Sequence, residues 1–193
     1  MEILGIDVGG SGMKAGPVDT ETGKLLAPRL RIPTPEGAKP KDMANVVAQL
    51  VTEFKWSGPV GCGFPAAVRH GIVLNAANIH KKWVGVNAEA LFSAAAGCQV
   101  ALLNDADAAG MAEIAFGAGQ GQKGSVFIIT IGTGLGTALF TDGHLFPNAE
   151  LGHIILDGQD AETRASDAAR KREKLSWKAW AARFDAFLNY LAR

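Results

Sequence analysis

The stretch Val100-Ala101-Leu102-Leu103-Asn104-Asp105-Ala106-Asp107 decides how this chain is read. Val100 to Leu103 is a short apolar run of the kind that forms a buried strand. It stops on Asn104-Asp105, and an Ala-rich helical pattern, Ala106 to Ala115, starts at once. In α/β sheets the crevice beyond the carboxyl end of a strand is the usual place for a ligand. A carboxylate at this junction also lies beside a helix N-terminus, whose partial positive charge favours the ionised form. Asp105 is therefore a candidate general base. An Asn-Asp helix cap has the same appearance and is the commoner use of such a pair.

Glycine-rich turns lie on both sides of the junction. On the N-terminal side Ile3 to Val8 reads as a buried strand carrying Asp7, followed by the turn Gly9-Gly10-Ser11-Gly12 and a strand from Met13 to Val18. A third strand is expected from Lys24 to Ile32, giving an antiparallel meander. On the C-terminal side Ser125 to Ile131, the turn Gly132-Thr133-Gly134 and Leu135 to Phe140 repeat the pattern, and Asp142-Gly143 signals a further hairpin. Two hairpins of one design point to two similar lobes facing a cleft, with residues 1–104 as the first and 105–193 as the second.

The remaining segments fill in an α/β chain. Met43, Val46, Val47, Leu50, Val51 and Phe54 recur at helical spacing behind Pro40, which suits a first turn. Val60 to Phe64 and Ile72 to Leu74 read as short strands, and Asn75 to Val86 as a loop. Asn87 is the expected cap of a helix reaching Ala96. Gly117 to Gly124 is a linker. One helix is expected from Ala161 to Lys174 and another after Ser176. The latter has a wide apolar face (Trp177, Trp180, Phe184, Phe187, Leu191) that needs cover, so a homodimer is expected.

Composition excludes several classes. The 193 residues are 48% hydrophobic and 20% charged, as in an ordinary globular chain. Lys+Arg and Asp+Glu are both 19, so there is no net charge to draw the chain to nucleic acid or membrane, and neither is an expected partner. Two cysteines, Cys62 and Cys98, offer neither a disulfide framework nor a cysteine metal spacing. No signal-like start and no run near the ~20 apolar residues of a membrane span are present, so the default expectation is cytoplasmic.

Backbone N–H groups of glycine turns can approach an anion with no Cβ in the way. Neither turn fits the P-loop or the dinucleotide fingerprint, and hairpin glycines are often purely structural. Asp7 before the first turn and Thr133 within the second strengthen the phosphate reading. Asp7 is a candidate Mg²⁺ ligand, directly or through water, since hard cations take oxygen ligands and travel with phosphates; it is equally a turn-initiating Asp. Glu150 and His153, separated by Leu151-Gly152, are polar groups beside an apolar run and suit hydroxyl recognition. Asn78, Asn104 and Glu162 are candidates to complete such a ring, and each also has an ordinary loop or helix-surface reading. His80-Lys81-Lys82 and Arg170-Lys171-Arg172 are short basic clusters that could guide a polyanion, the second also suiting a helix C-terminus.

Asp7-Val8-Gly9-Gly10-Ser11-Gly12-Met13-Lys14, Leu103-Asn104-Asp105-Ala106, Ile131-Gly132-Thr133-Gly134-Leu135-Gly136 and Glu150-Leu151-Gly152-His153 occur in one order. Together they resemble the ROK (repressor, ORF, kinase) sugar kinases, of the actin-like, RNase H-like and hexokinase-like α/β fold. Within that family, Ala77-Asn78-Ile79 with Trp83, Ala161-Glu162 through Ala165-Ser166, Ala168-Ala169-Arg170-Lys171 and Leu175-Ser176-Trp177 are similar to the polyphosphate glucokinases of actinobacteria. The resemblance implies phosphoryl transfer from polyphosphate or ATP to the glucose 6-hydroxyl, with Asp105 as base. It implies that Asn78, Asn104, Glu150, His153 and Glu162 bind glucose. It assigns Asp7, Gly9, Gly10, Ser11, Lys14 and the turn Gly132, Thr133, Gly134, Gly136 to the donor and Mg²⁺. No cysteine follows His153, so no structural zinc is expected. Family members continue past the final helix, so the C-terminal lobe is expected to be incomplete. The alternatives within reach are a non-catalytic sugar-binding remnant and a kinase for mannose or an N-acetyl hexosamine. A sugar-responsive repressor would need a DNA-binding module ahead of the first strand.

Overall fold

The computed structural model describes residues 1–77 and 79–192. They form two compact units, Met1–Gln122 and Lys123–Arg193. The first unit runs, in order, β1 (Glu2–Val8), β2 (Met13–Asp19), β3 (Leu30–Ile32), α1 (Pro40–Glu53), β4 (Val60–Phe64), β5 (Val68–Arg69), β6 (Ile72–Val73), a 3₁₀ turn at Lys81–Trp83, α2 (Ala88–Ala96), β7 (Val100–Asn104) and α3 (Asp105–Phe116). Five strands make one mixed sheet in the order β3-β2-β1-β4-β7. β1 pairs antiparallel with β2, β2 with β3, and β1, β4 and β7 run parallel.

Alternation along the strands separates the two faces of this sheet. Leu4, Ile6 and Val8 of β1, Cys62 and Phe64 of β4, and Val100 and Leu102 of β7 are buried in one core with Met43, Val47 and Leu50 of α1 and Phe92 of α2. Trp83 joins this core edge-on to Phe64 at 4.9 Å between ring centroids and donates from Nε1 to Ala38 O at 2.8 Å. Burying such a ring is worth about 3 kcal/mol, more than one 3₁₀ turn contributes, so Trp83 is what fixes the loop expected at Asn75 to Val86. The opposite face carries Asp7 and Lys14 and, at β4 and β7, the helix α3. α3 lies directly over Gly63, where a Cβ would be in ordinary contact, 3.5 Å from Asp105 Cα and 3.7 Å from Ala108 Cβ.

The second unit contains β8 (Ser125–Ile131), β9 (Leu135–Thr141), β10 (His144–Phe146), a 3₁₀ turn at Leu151–His153, β11 (Ile155–Leu156), β12 (Gln159–Asp160), α4 (Ala161–Ala165), α5 (Asp167–Arg172) and α6 (Trp177–Leu191). β10-β9-β8 form an antiparallel sheet and β11-β12 a small ribbon. Leu135, Ala161, Ala165 and Phe187 centre its core. Both glycine turns join antiparallel strands, β1 to β2 and β8 to β9, as the internal repeat required.

Two expectations are corrected. The third strand is Leu30–Ile32 only, with a lone bridge from Val18 to Leu25; Pro28 has no N–H for the ladder between them. The helix expected over Ala161 to Lys174 is two, α4 and α5, broken at Ser166. That residue is extended (φ −70°, ψ 162°) and its Oγ accepts from Ala169 N at 3.1 Å, a cap in place of a helical turn. The compact units divide at Gln122/Lys123, with α3 packed on β4 and β7 of the first. The apolar face of α6 is seated by Phe187 and by Trp180, whose Nε1 donates to Ala165 O at 2.8 Å, while Trp177 and Leu188 remain exposed. Among the described residues no helix is long and apolar enough to cross a membrane.

Candidate functional site

The junction after β7 is built by Asn104. Its Oδ1 accepts from Ala106 N at 2.9 Å and Asp107 N at 3.1 Å, and its Nδ2 donates to Ala66 O at 3.3 Å. Asn104 is thus the cap of α3, and a sugar contact would have to share its amide with these bonds. The cap leaves Asp105 to begin the helix, its side chain reached by solvent although the chain crowds round the carboxyl, with Oδ1 accepting from Ala106 N at 2.8 Å. The helix terminus does favour the ionised form, as expected, but it is outweighed. Burial pushes the Asp105 carboxyl above the ordinary carboxylate range, the Ala106 N–H opposes, and the negative charges of Asp7 and Asp107 add to the rise. Asp7, at the end of β1, lies directly opposite Lys14 in the ladder and beside Gly63 of β4. Lys14 Nζ stands 3.3 Å from Asp7 Oδ2.

The first turn is closed by contacts that sequence reasoning missed. Thr34 Oγ1 donates to Gly9 O, and Arg31 Nη2 donates to Ser11 O at 2.7 Å. Gly9 is needed because a Cβ there would meet Gly12 O at 2.7 Å, whereas nothing lies within 4 Å of the corresponding point at Gly10. A bare backbone facing open space at Gly10 is what an anion contact requires. Arg31 lies 20 residues after Ser11 and Thr34 25 after Gly9, and only the pairing of β3 with β2 brings them to the turn.

In the second unit Gly132 repeats the feature of Gly10, with nothing within 4 Å of its absent Cβ. Gly132 N donates to Gly134 O at 3.0 Å, and Gly132 O accepts from Ala168 N at 3.2 Å. Gly134 makes room for a side chain: Glu162 Oε2 occupies the place a Cβ would take and accepts from Leu135 N at 3.3 Å, so a substitution there would displace that carboxylate. Gly152 packs on Leu135 O, and Leu151 N donates to Thr137 Oγ1 at 2.8 Å, which seats the Glu150–His153 turn against β9.

His153 stands among three acids. Its Nδ1 is 3.1 Å from Asp160 Oδ2 and 3.9 Å from Glu162 Oε1, and its Nε2 is 3.6 Å from Glu150 Oε2. Burial opposes the imidazolium, but the Asp160 hydrogen bond and the charges of Glu162, Asp160 and Glu150 outweigh it, and the His153 pKa is raised. The structure therefore brings Glu150, His153 and Glu162 together as the sequence required and adds Asp160. Asp160 also caps α4 through Oδ1, at 3.0 Å from Glu162 N; an acid opening a helix pattern was the available signal. The expectation of no structural zinc rested on cysteines; His153, Asp160 and Glu162 nevertheless bring three potential metal-ligand atoms within 4.8 Å of one another. Asn78 lies outside the described residues.

The two basic clusters part company. Arg170 and Lys171 pair with Asp167 at 3.0 and 2.6 Å, and Arg172 with Glu173 at 2.8 Å, so this cluster is largely neutralised. His80 Nδ1 accepts from Lys82 N at 3.0 Å, leaving Lys81 and Lys82 exposed. Their anchor, Trp83, packs on the covered face of the sheet, whereas Asp7 and Lys14 stand on the other. A cavity of about 240 Å³ between α4 and α6, lined by Arg164, Arg183, Phe187 and Tyr190, contains none of the expected site residues.

A mixed sheet opened by a glycine hairpin, with an acid at the end of its last parallel strand, defines the α/β fold of the actin-like ATPases and hexokinase-like sugar kinases. The chain belongs to the ROK family, whose profile matches residues 3–170. It is 45% identical over 179 residues to a polyphosphate glucokinase of Mycobacterium tuberculosis, covering 92% of this chain and 68% of that protein. The crystal structure of an inorganic polyphosphate/ATP-glucomannokinase from Arthrobacter sp. strain KM superposes with a TM-score of 0.95 at 46% identity, over 98% of this chain and 78% of that one. A ROK family glucokinase from Streptomyces griseus, solved with glucose and AMPPNP, gives a TM-score of 0.78 at 30% identity, over 89% of this chain and 59% of that one.

Proposed function

We propose that this chain is a glucokinase that transfers a phosphoryl group from inorganic polyphosphate, and also from ATP, to the 6-hydroxyl of glucose. The observation that carries the reading is Asp105: a carboxyl of raised pKa at the end of a parallel strand, held by the Asn104 cap and next to Asp7. Its role is to accept the proton of the attacking hydroxyl. Phosphoryl transfer otherwise needs positioning and charge neutralisation. Asp7, Gly9, Gly10, Ser11 and Lys14, with Gly132, Thr133, Gly134 and Gly136, serve the donor. Glu150, His153 and Glu162, with Asn78 and Asn104, read the sugar hydroxyls, and Asp160 fixes the His153 ring.

The residues fit Mg²⁺ at Asp7, whose carboxylate is 56% exposed. Held there directly or through water, the ion supplies positive charge to the donor's phosphates. A homodimer through α6, where Trp177 and Leu188 are exposed, and a cytoplasmic site of action belong to the same reading. The test is a coupled assay for glucose 6-phosphate with polyphosphate or ATP as donor. Turnover with either supports the reading. Glucose binding by calorimetry without turnover makes the chain a sugar-binding module, and turnover of mannose or an N-acetyl hexosamine in place of glucose corrects the substrate.

A further inference from the structure

We propose that Arg31 is a donor-binding residue, the outer station of a phosphate track that crosses β1, β2 and β3 and favours long polyphosphate over ATP. The inference rests on the polyphosphate reading above and deepens it.

The ladder sets the track. Asp7 lies opposite Lys14, and Lys14 lies opposite Arg31, so the three side chains stand on one face of the sheet. Adjacent strands are ~4.8 Å apart, which puts Arg31 about 10 Å across the sheet from Asp7. The order along this row is acid, lysine, arginine. Lys14 is partly neutralised by Asp7 at 3.3 Å. Arg31 has no carboxylate within ion-pair distance among the described residues, and its side chain is exposed. It is an uncompensated cation of this face, as is the exposed Arg29 over Gly16, but among the two only Arg31 bonds the glycine turn.

Its position against the glycine turn gives it a second property. Arg31 Nη2 holds Ser11 O at 2.7 Å, and the guanidinium lies so close over Gly12 that a Cβ there would meet Nε at 2.5 Å. With Thr34 on Gly9 O, two carbonyls that would repel a phosphate are already engaged by donors. A guanidinium has five N–H donors in a planar fork. One bond to Ser11 leaves both the charge and further donors for an anion, and the fork suits phosphate oxygens. A donor whose reacting end lies by Asp7 must extend past Lys14 to reach this group. A long polyphosphate does so with identical phosphates; ATP replaces them with a nucleoside.

The experiment is calorimetric titration of the full chain and its Arg31→Ala and Arg31→Lys variants with long-chain polyphosphate and with ATP, at several salt concentrations. Losing a charge-assisted contact of this kind costs about tenfold or more in affinity. Arg31→Ala should therefore weaken polyphosphate at least tenfold more than ATP. The slope of log affinity against log salt should fall by roughly 0.7–1, the change expected for one phosphate contact. Arg31→Lys should restore that slope while recovering only part of the affinity. Equal losses for both donors would show that Arg31 only braces the turn, and unchanged polyphosphate binding would remove it from the track; either overturns the proposal and leaves the glucokinase reading standing. Wild-type protein that binds ATP but no polyphosphate refutes the donor reading itself, and this inference with it.

Discussion

Replacing Asn104 with alanine isolates the part of the structure on which the position of Asp105 depends. The amide carbonyl caps α3 through Ala106 N and Asp107 N, and the amide nitrogen bonds Ala66 O from a side chain only 5% exposed. Loss of an N-cap costs about 1–2 kcal/mol, and leaving a buried carbonyl without its donor adds about 1–3 kcal/mol. The sum, about 2–4 kcal/mol, is several times a typical surface substitution. In a unit of this size it should lower the melting midpoint by on the order of 10 °C. Calorimetry supplies the midpoint, and hydrogen exchange at the Ala106 and Asp107 amides supplies the location. Asn104→Asp keeps the cap acceptor and should retain most of that amide protection while losing the bond to Ala66. An Asn104→Ala protein with wild-type protection at those amides and a midpoint within a degree or two would refute the cap as the organiser of the site.

Three further outcomes are expected. Gly152→Ala drives a Cβ into Leu135 O and pulls the turn off β9, breaking the Leu151–Thr137 bond; a loss of about 2–4 kcal/mol together with weakened glucose binding should appear in denaturant titration and calorimetry, and normal values for both would detach this turn from the sugar site. The raised His153 pKa contributes stability that is fully present below the unfolded histidine value near ~6.5 and fades as pH rises through the higher folded value. Asp160→Asn keeps a capping side chain but lowers that pKa, so by NMR titration the His153 transition should move to lower pH, and an unmoved transition would contradict the cluster's electrostatics. Asp105 carries the same sign: its raised pKa means that stability is lost as pH rises through its folded value, so Asp105→Asn should be the more stable protein at neutral pH, measurable as a higher denaturant midpoint.

The fold was legible where local pattern and tertiary pairing agree. The period of α1, the β-branched run of β8 and the Asp142-Gly143 turn each declare themselves over a few residues. The pivotal junction was legible because a strand ending on Asn-Asp leaves the backbone little other choice. What escaped was set by contacts across the chain. Arg31 and Thr34 meet the first glycine turn only through the β2–β3 ladder, Asp160 meets His153 only because the β11–β12 ribbon turns the chain back on itself, and the pKa of Asp105 rises through burial that no sequence window contains. Ser166 shows the limit from the other side: its composition fits a helix, and a single side-chain hydrogen bond to Ala169 turns one helix into two. Of the glycines, the sequence could not separate Gly10 and Gly132, which face open space, from Gly9 and Gly134, which are filled by the chain itself.

The most direct measurement is the rate of glucose 6-phosphate formation as a function of pH for wild type and Asp105→Asn. The account predicts a wild-type rate that rises as Asp105 loses its proton, at a pH above the ordinary carboxylate range. In Asp105→Asn kcat should fall by about 10²–10⁴-fold with glucose still bound, the share expected of one positioned base. A variant that keeps its rate within a few-fold of wild type, with the same pH profile, would contradict it.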